Sequence, residues 1–141
     1  MLFRSYTYST SYYSPNTTWL AVNDPSPAAF RVPTVAESES LVNTAFVTRL
    51  WTTLNGVAGY RFTDNGADGR GNAGNSIFLP AAGSLANPSN PLNPRGYYWT
   101  STQESALYAY RIYFDNLSAF AGPAASRVGK NLDYTVRPVA E

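Results

Sequence analysis

The side chains able to do chemistry in this chain are few and of restricted type. Its 141 residues include no Cys and no His. That removes thiol nucleophiles, Ser–His dyads, zinc sites built on His or Cys, and disulfide staples. Nine carboxylates remain, spread along the chain, and the sequence alone assigns no pair of them to glycosidase geometry. Asp64-Asn65-Gly66-Ala67-Asp68-Gly69 has the outline of a calcium loop. Gly66 sits at a ligand position, however, and Asn75 stands where a Glu is needed, so a Gly/Asp turn is the better reading. No catalytic residue, metal ligand or cofactor is expected.

Binding chemistry is better represented. Tyr108 to Phe114 alternates, with Tyr108, Tyr110, Ile112 and Phe114 on one face and Ala109, Arg111 and Tyr113 on the other. Arg111 and Tyr113 beside the small Ala109 could anchor an interface, since exposed Arg and Tyr are common hot spots. An ordinary solvated strand face is the alternative. The chain carries 11 Tyr, 7 Phe and 3 Trp. Tyr offers a stiff contact area with a polar tip, but it also simply suits β-strands, and composition weighs the two evenly. A net charge of +1 with scattered charges gives no electrostatic case for nucleic acid or an anionic membrane. No apolar run is long enough for membrane insertion. Met1 to Thr10 lacks the apolar core of a signal peptide, which leaves open a domain cut from a longer chain.

The elements that must position these groups read as α+β within one domain over residues 1–141. Residues 1–20 form an extended arm or edge strand. Asp24-Pro25-Ser26-Pro27 is a turn. Thr34-Val35-Ala36-Glu37 matches a capping box. Leu41, Val42, Ala45, Phe46 and Leu50 then follow at helical spacing, so a helix is expected to run to Asn55-Gly56, with an interruption between Val42 and Phe46. Short strands follow at Tyr60–Phe62 and Ile77–Pro80, separated by a Gly/Asn/Asp loop over 64–75. A Pro-rich loop covers 82–95. Strands at Tyr97–Ser101, Tyr108–Phe114 and Tyr134–Val139 complete a C-terminal sheet over 96–139.

Four of these segments resemble a known pattern. Asn23 to Thr34, followed by Glu37, resembles the "DPCPxGWRxPTxxE" opening of the major paralogous domain of Fibrobacter and Bacteroidetes surface proteins. Ile77-Phe78-Leu79-Pro80-Ala81-Ala82-Gly83 is similar to its "LFLPAAG", and Gly96-Tyr97-Tyr98-Trp99-Thr100-Ser101-Thr102 to its "GYYWSST". Ala109-Tyr110, Phe114 and Tyr134 to Val139 resemble its closing "AY…F…SVRPV". The motifs stand in order from residue 23 to 139. The departures are Ser26 where Cys is usual and Ala29-Phe30 where Gly-Trp is usual.

The resemblance implies a C-type-lectin-like fold, with one or two helices packed on a small twisted antiparallel sheet and long irregular loops. The same pattern is similar to that of the variable proteins of diversity-generating retroelements. There an error-prone copying step rewrites template adenines, so Asn codons become many residues while scaffold positions persist. Scaffold here would be Gly96, Trp99, Ser101, Ala109, Tyr110, Phe114, Arg127, Val136 and Arg137. The implied ligand-facing set is Leu107, Tyr108, Arg111, Tyr113, Asn116, Leu117, Ala119, Ala121, Pro123, Ala124, Ala125 and Ser126. Ser105 to Gly129 contains no Met, Trp, Gln, Glu or Lys, as rewritten Asn codons require, but these types are scarce throughout the chain. Gln103 and Glu104 fall outside the varied set.

Trp99 reads as core. Arg137 reads as a scaffold residue tying down loop carbonyls or a carboxylate such as Asp115. No Glu-Pro-Asn or Trp-Asn-Asp triplet supports calcium-dependent sugar binding. The expected function is therefore receptor binding or adhesion, through residues 103–126, to a protein or glycan on another cell, without a cofactor. The cell surface or a virion is the expected setting. The alternative is a structural or assembly module of a bacterial surface protein or phage tail, with homo-oligomer contacts through the N-terminal arm.

Overall fold

The computed structural model describes residues 18–85, 88, 90, 92–121 and 127–141. The expected arm over 1–20 therefore lies outside the described residues, except at its end. There Thr18 bridges Thr102, and the Trp19 amide donates to the Ser101 carbonyl at 2.8 Å. After one 3-10 turn, Ala21–Asn23, Asp24 organises the Pro-rich turn. Its Oδ1 accepts the Ser26 amide and its Oδ2 the Val32 amide, both at 2.8 Å. Phe30–Arg31 (β1) then pairs antiparallel with Val139–Ala140 near the C-terminus.

The capping box forms as expected. Thr34 Oγ1 accepts the Glu37 amide at 3.3 Å, and Glu37 Oε2 accepts the Thr34 amide at 2.8 Å. Arg31 closes on the same carboxylate with two bonds of 2.6 and 2.8 Å. Its guanidinium holds the Glu37 carboxyl down to about 2, against the desolvation that raises it. The helix, α1, spans only Val35–Val42.

The expected helical course to Asn55-Gly56 is overturned. Val47–Leu54 is strand β2, and it pairs in full register with Val57–Asp64 (β3). The residues explain it. Val47, Thr48, Trp51, Thr52 and Thr53 are β-branched or aromatic and pack well on a pleated surface. Asn55 and Gly56 both adopt positive φ, 49° and 81°, which is a two-residue primed hairpin turn and not a helix cap.

Ser76–Pro80 (β4) adds to β3, giving a three-stranded sheet in the order β2-β3-β4. The loop before it is built from side-chain caps. Asp64, Asn65 and Asp68 each accept the amide two residues on, at 2.7 to 2.9 Å, and Gly66 and Gly69 take positive φ.

The second sheet holds Gly96–Gln103 (β5), Tyr108–Phe114 (β6), Ala119–Phe120 (β7) and Arg127–Gly129 (β8), with β6 pairing to all three of the others. Thr135 bridges β5 in parallel from its far side. The expected last strand, Tyr134–Val139, is thus divided. Thr135 joins this sheet, whereas Val139–Ala140 (β9) closes on β1, with Pro138, which has no amide to donate, between them.

The core lies between the two larger sheets. Phe114, 0% exposed, packs edge-on against Trp51 and Tyr60 and stacks on Tyr98, with centroids at 6.3, 5.6 and 5.9 Å. Gly96 is required beneath it, since a Cβ there would meet the Phe114 ring at 2.1 Å. Leu41 and Val42 of α1 cover the cluster. The chain is a small mixed α+β domain with one α-helix among the described residues and antiparallel sheets, two of three or more strands and one of two. Among the described residues, no helix is long and apolar enough to cross a membrane.

Candidate functional site

The face of β5 and β6 turned away from Phe114 carries a second aromatic layer. Alternation puts Tyr97 and Trp99 on this side of β5, opposite Tyr113 and Arg111 of β6 in the register. Tyr134 arrives on the segment bridged to β5. It stacks on Tyr97 at 5.1 Å with an interplanar angle of 11°, and it contacts Trp99 at 4.7 Å. Tyr113 leans on Tyr97 from the other side at 5.4 Å.

Arg111 sits among these rings. Its guanidinium carbon lies 5.3, 5.2 and 5.2 Å from the centroids of Tyr97, Tyr113 and Tyr134. Such placements over ring faces are electrostatically attractive. Nη1 donates to the Tyr134 hydroxyl. Nε is buried without a hydrogen-bond partner, so the group keeps an unused donor. Burial pushes the Tyr134 phenol up, opposed by Arg111.

Asp115 anchors the end of this layer. It accepts the Tyr113 hydroxyl at 3.1 Å, the Leu117 and Ser118 amides at 3.0 Å each, and the Ser118 hydroxyl at 3.2 Å. Burial alone would raise its carboxyl, but these bonds outweigh it and hold the pKa below the ordinary aspartate value. Burial, and then the bond to Asp115, push the Tyr113 phenol up.

The sequence-derived ligand set divides into three places. Leu107 and Tyr108 are exposed at the start of β6, where Arg127 lies 5.3 Å over the Tyr108 ring and ion-pairs with Glu104 at 3.0 Å. Arg111 and Tyr113 lie half-buried in the aromatic layer. Asn116 and Leu117 are exposed at the turn beyond β6. The two ends are separated by about 20 Å of strand. Ala119 is a correction: it is 8% exposed and belongs to the core. It pairs with Phe114 across β6 and β7, which points it to the core side. Ala121, half-buried, packs against the same cluster. Pro123, Ala124, Ala125 and Ser126 lie outside the described residues.

Three members of the layer escaped the sequence-derived set. Tyr97, Trp99 and Tyr134 flank Arg111, and Trp99 is buried as expected for a core residue. The available signal was the period of two in Tyr97-Tyr98-Trp99, which sends Tyr98 to one face and its neighbours to the other. Arg137 does not pair with Asp115. Local donors fill that carboxylate, and Arg137 makes no hydrogen bond or ion pair with another described residue. Among the described residues, no three Asp or Glu side chains come together.

Comparison of the chain with family models, with curated proteins and with solved structures returns no match.

Proposed function

We propose that the chain is a receptor-binding or adhesive protein on a C-type-lectin-like scaffold, of the kind diversified by retroelements. It binds a protein or glycan through the Arg111 face and the loops at either end of β6, without catalysis or cofactor. The observation that carries this reading is the layer of Tyr97, Trp99, Tyr113 and Tyr134 around Arg111, on a sheet whose opposite face is core. Half-buried Tyr113 and Tyr134 beside a half-buried guanidinium, held rigid by the buried Tyr97 and Trp99, suit recognition.

Two further facts support the scaffold. The four motifs meet in space. The Ser101 amide donates to Pro33 at 2.8 Å, the Val35 amide to Thr102 at 3.0 Å, the Tyr98 hydroxyl to Pro80 at 2.7 Å, and the Trp99 amide to Thr135 at 2.9 Å. Ala29, where the resembling pattern has Gly, adopts φ 66°, the left-handed region that Gly occupies freely.

Sequencing the DNA beside the gene tests the diversified version. A template repeat matching the codons of the last third of the chain, differing only at adenines, and a reverse transcriptase gene are expected. Flanks without them overturn diversification and leave a fixed binding domain.

A second reading, an assembly module, is favoured by the outer side of the β2–β3 hairpin, where Leu50, Leu54 and Val57 are 56%, 41% and 45% exposed. Light scattering of the chain and of Leu50→Asp separates the two. A wild-type oligomer that Leu50→Asp dissolves supports assembly, and a monomer in both removes it.

A further inference from the structure

We infer that a cavity on the core side of the molecule, which shares Trp99 but neither Arg111 nor its tyrosines with the Arg111 layer, is a second binding site for a small carboxylate with an apolar body. The cavity has a volume of about 560 Å³, within the range of sites that hold drug-sized molecules. Its walls come from α1, the β2–β4 sheet and the inner face of β5 and β6, including Leu41, Phe62, Leu79 and Ile112. Those side chains define an apolar body of aromatic or branched aliphatic type.

Two polar groups specify the rest of the ligand. Ser38, in the middle of α1, lines the cavity and is 1% exposed, and its hydroxyl has no hydrogen-bond partner. Buried hydroxyls are ordinarily satisfied, so this one is available to a polar atom of an occupant. The second group is Arg137. It also lines the cavity and is itself exposed.

Two of the three carboxylates around the cavity are ion-paired, and among the described residues Asp64 and Arg137 are its unpaired charges, Arg137 being the one that can take an anion. Glu37 is neutralised by Arg31 at 2.6 Å, and Asp68 faces Arg70 at 3.5 Å. Asp64 accepts the Gly66 amide at 2.7 Å. Arg137 has no such partner among the described residues, and burial pushes the Tyr98 phenol in the cavity wall up, opposed by Arg137. A guanidinium presents paired donors that match a carboxylate. A monocarboxylate whose body fills the cavity would pair its charge with Arg137 and offer an oxygen to Ser38.

The test titrates the whole chain with 4-phenylbutyrate and with 4-phenylbutan-1-ol, which shares the body and lacks the charge, by calorimetry and amide NMR. The carboxylate is expected to bind about tenfold more tightly than the alcohol, the worth of one charge-assisted hydrogen bond. Shifts should map to α1, β3, β4 and the Arg137 segment. Arg137→Gln, at an exposed position, should bring the carboxylate down to the affinity of the alcohol. Leu41→Trp should abolish both by filling the cavity. Absence of binding by either probe overturns the inference. So does equal affinity for the two, or shifts that map to Tyr97, Arg111, Tyr113 and Tyr134. These readouts do not depend on the Arg111 face, so this site and the proposed function fail separately.

Discussion

The two faces of the β5–β6 sheet are built from the same residue types and behave differently. On one side Tyr98, Ile112 and Phe114 meet Trp51, Tyr60 and Phe62 in an apolar cluster, with Arg49 at its edge donating to the Ala119 carbonyl. On the other, Tyr97, Trp99, Tyr113 and Tyr134 surround Arg111. The first face holds by exclusion of water and close packing. The second keeps a cation, hydroxyls and an anchoring carboxylate within reach of solvent. Aromatic content therefore does not distinguish the core face from the proposed binding face here. The placement of one arginine, set by the period of two along β6, does.

Removing Phe114 should give the largest effect. Phe114→Ala leaves a cavity where four aromatic rings converge, and a loss of about 3–5 kcal/mol in urea denaturation is expected. Gly96→Ala, which drives a methyl into the same ring, should cost about 1–3 kcal/mol. A loss from Phe114→Ala below that of Arg111→Ala would break the assignment of this face as the core. On the outer face, Arg111→Ala removes three ring contacts and a hydrogen bond, worth about 2 kcal/mol together. Arg111→Lys keeps the charge but not the planar stack and should recover less than half of that. Full recovery by Lys would show that charge alone holds the layer.

Much of this division was legible in the chain. Alternation along Tyr108–Phe114 separated Ile112 and Phe114 from Arg111 and Tyr113, and the capping box placed the start of α1 to the residue. Beyond Val42 the sequence carried two periods at once. Leu41, Val42, Ala45, Phe46 and Leu50 fall on a helical stripe, while Val47 to Thr53 has the residue types of a strand. Asn55-Gly56 serves either a helix end or a hairpin, and pairing with β3, a tertiary effect, decides for the hairpin. The tyrosine layer was hidden for a related reason. Tyr134 reaches Arg111 only through the Thr135 bridge to β5, a contact between distant parts of the chain. Ala119 is small enough for either environment, and its pairing with Phe114 decides it.

Ala29 offers a control that touches neither face. Its φ of 66° strains an L residue by about 1 kcal/mol. Ala29→Gly relieves the strain, at the smaller cost of a freer unfolded chain. A net gain of up to about 0.5 kcal/mol is expected, with the tyrosine bands in near-UV circular dichroism unchanged. A loss of stability would mean that the Asp24-to-Pro33 loop does not hold Ala29 in that conformation.

The smallest expected effect separates the faces by pH. The core cluster contains no carboxylate, whereas the outer layer ends on Asp115, held below its ordinary pKa of 3.8. Its contribution is complete above about pH 4 and is lost as pH falls through the lowered folded value. Glu37 also titrates in acid, from the ordinary 4.5 down to about 2. Its pair with Arg31 is substantially exposed, at 43% and 36% for the two side chains, so screening limits that contribution to about 1 kcal/mol or less. The two are separated by where they act. Acidification should loosen the near-UV signature of the tyrosine layer, through the Tyr113 hydroxyl that Asp115 accepts, and Asp115→Asn should remove that response. Glu37→Gln should flatten the acid limb of stability while leaving the near-UV response intact. If Glu37→Gln abolished the near-UV response instead, Asp115 would not anchor the layer, and the two faces would respond to acid as one unit.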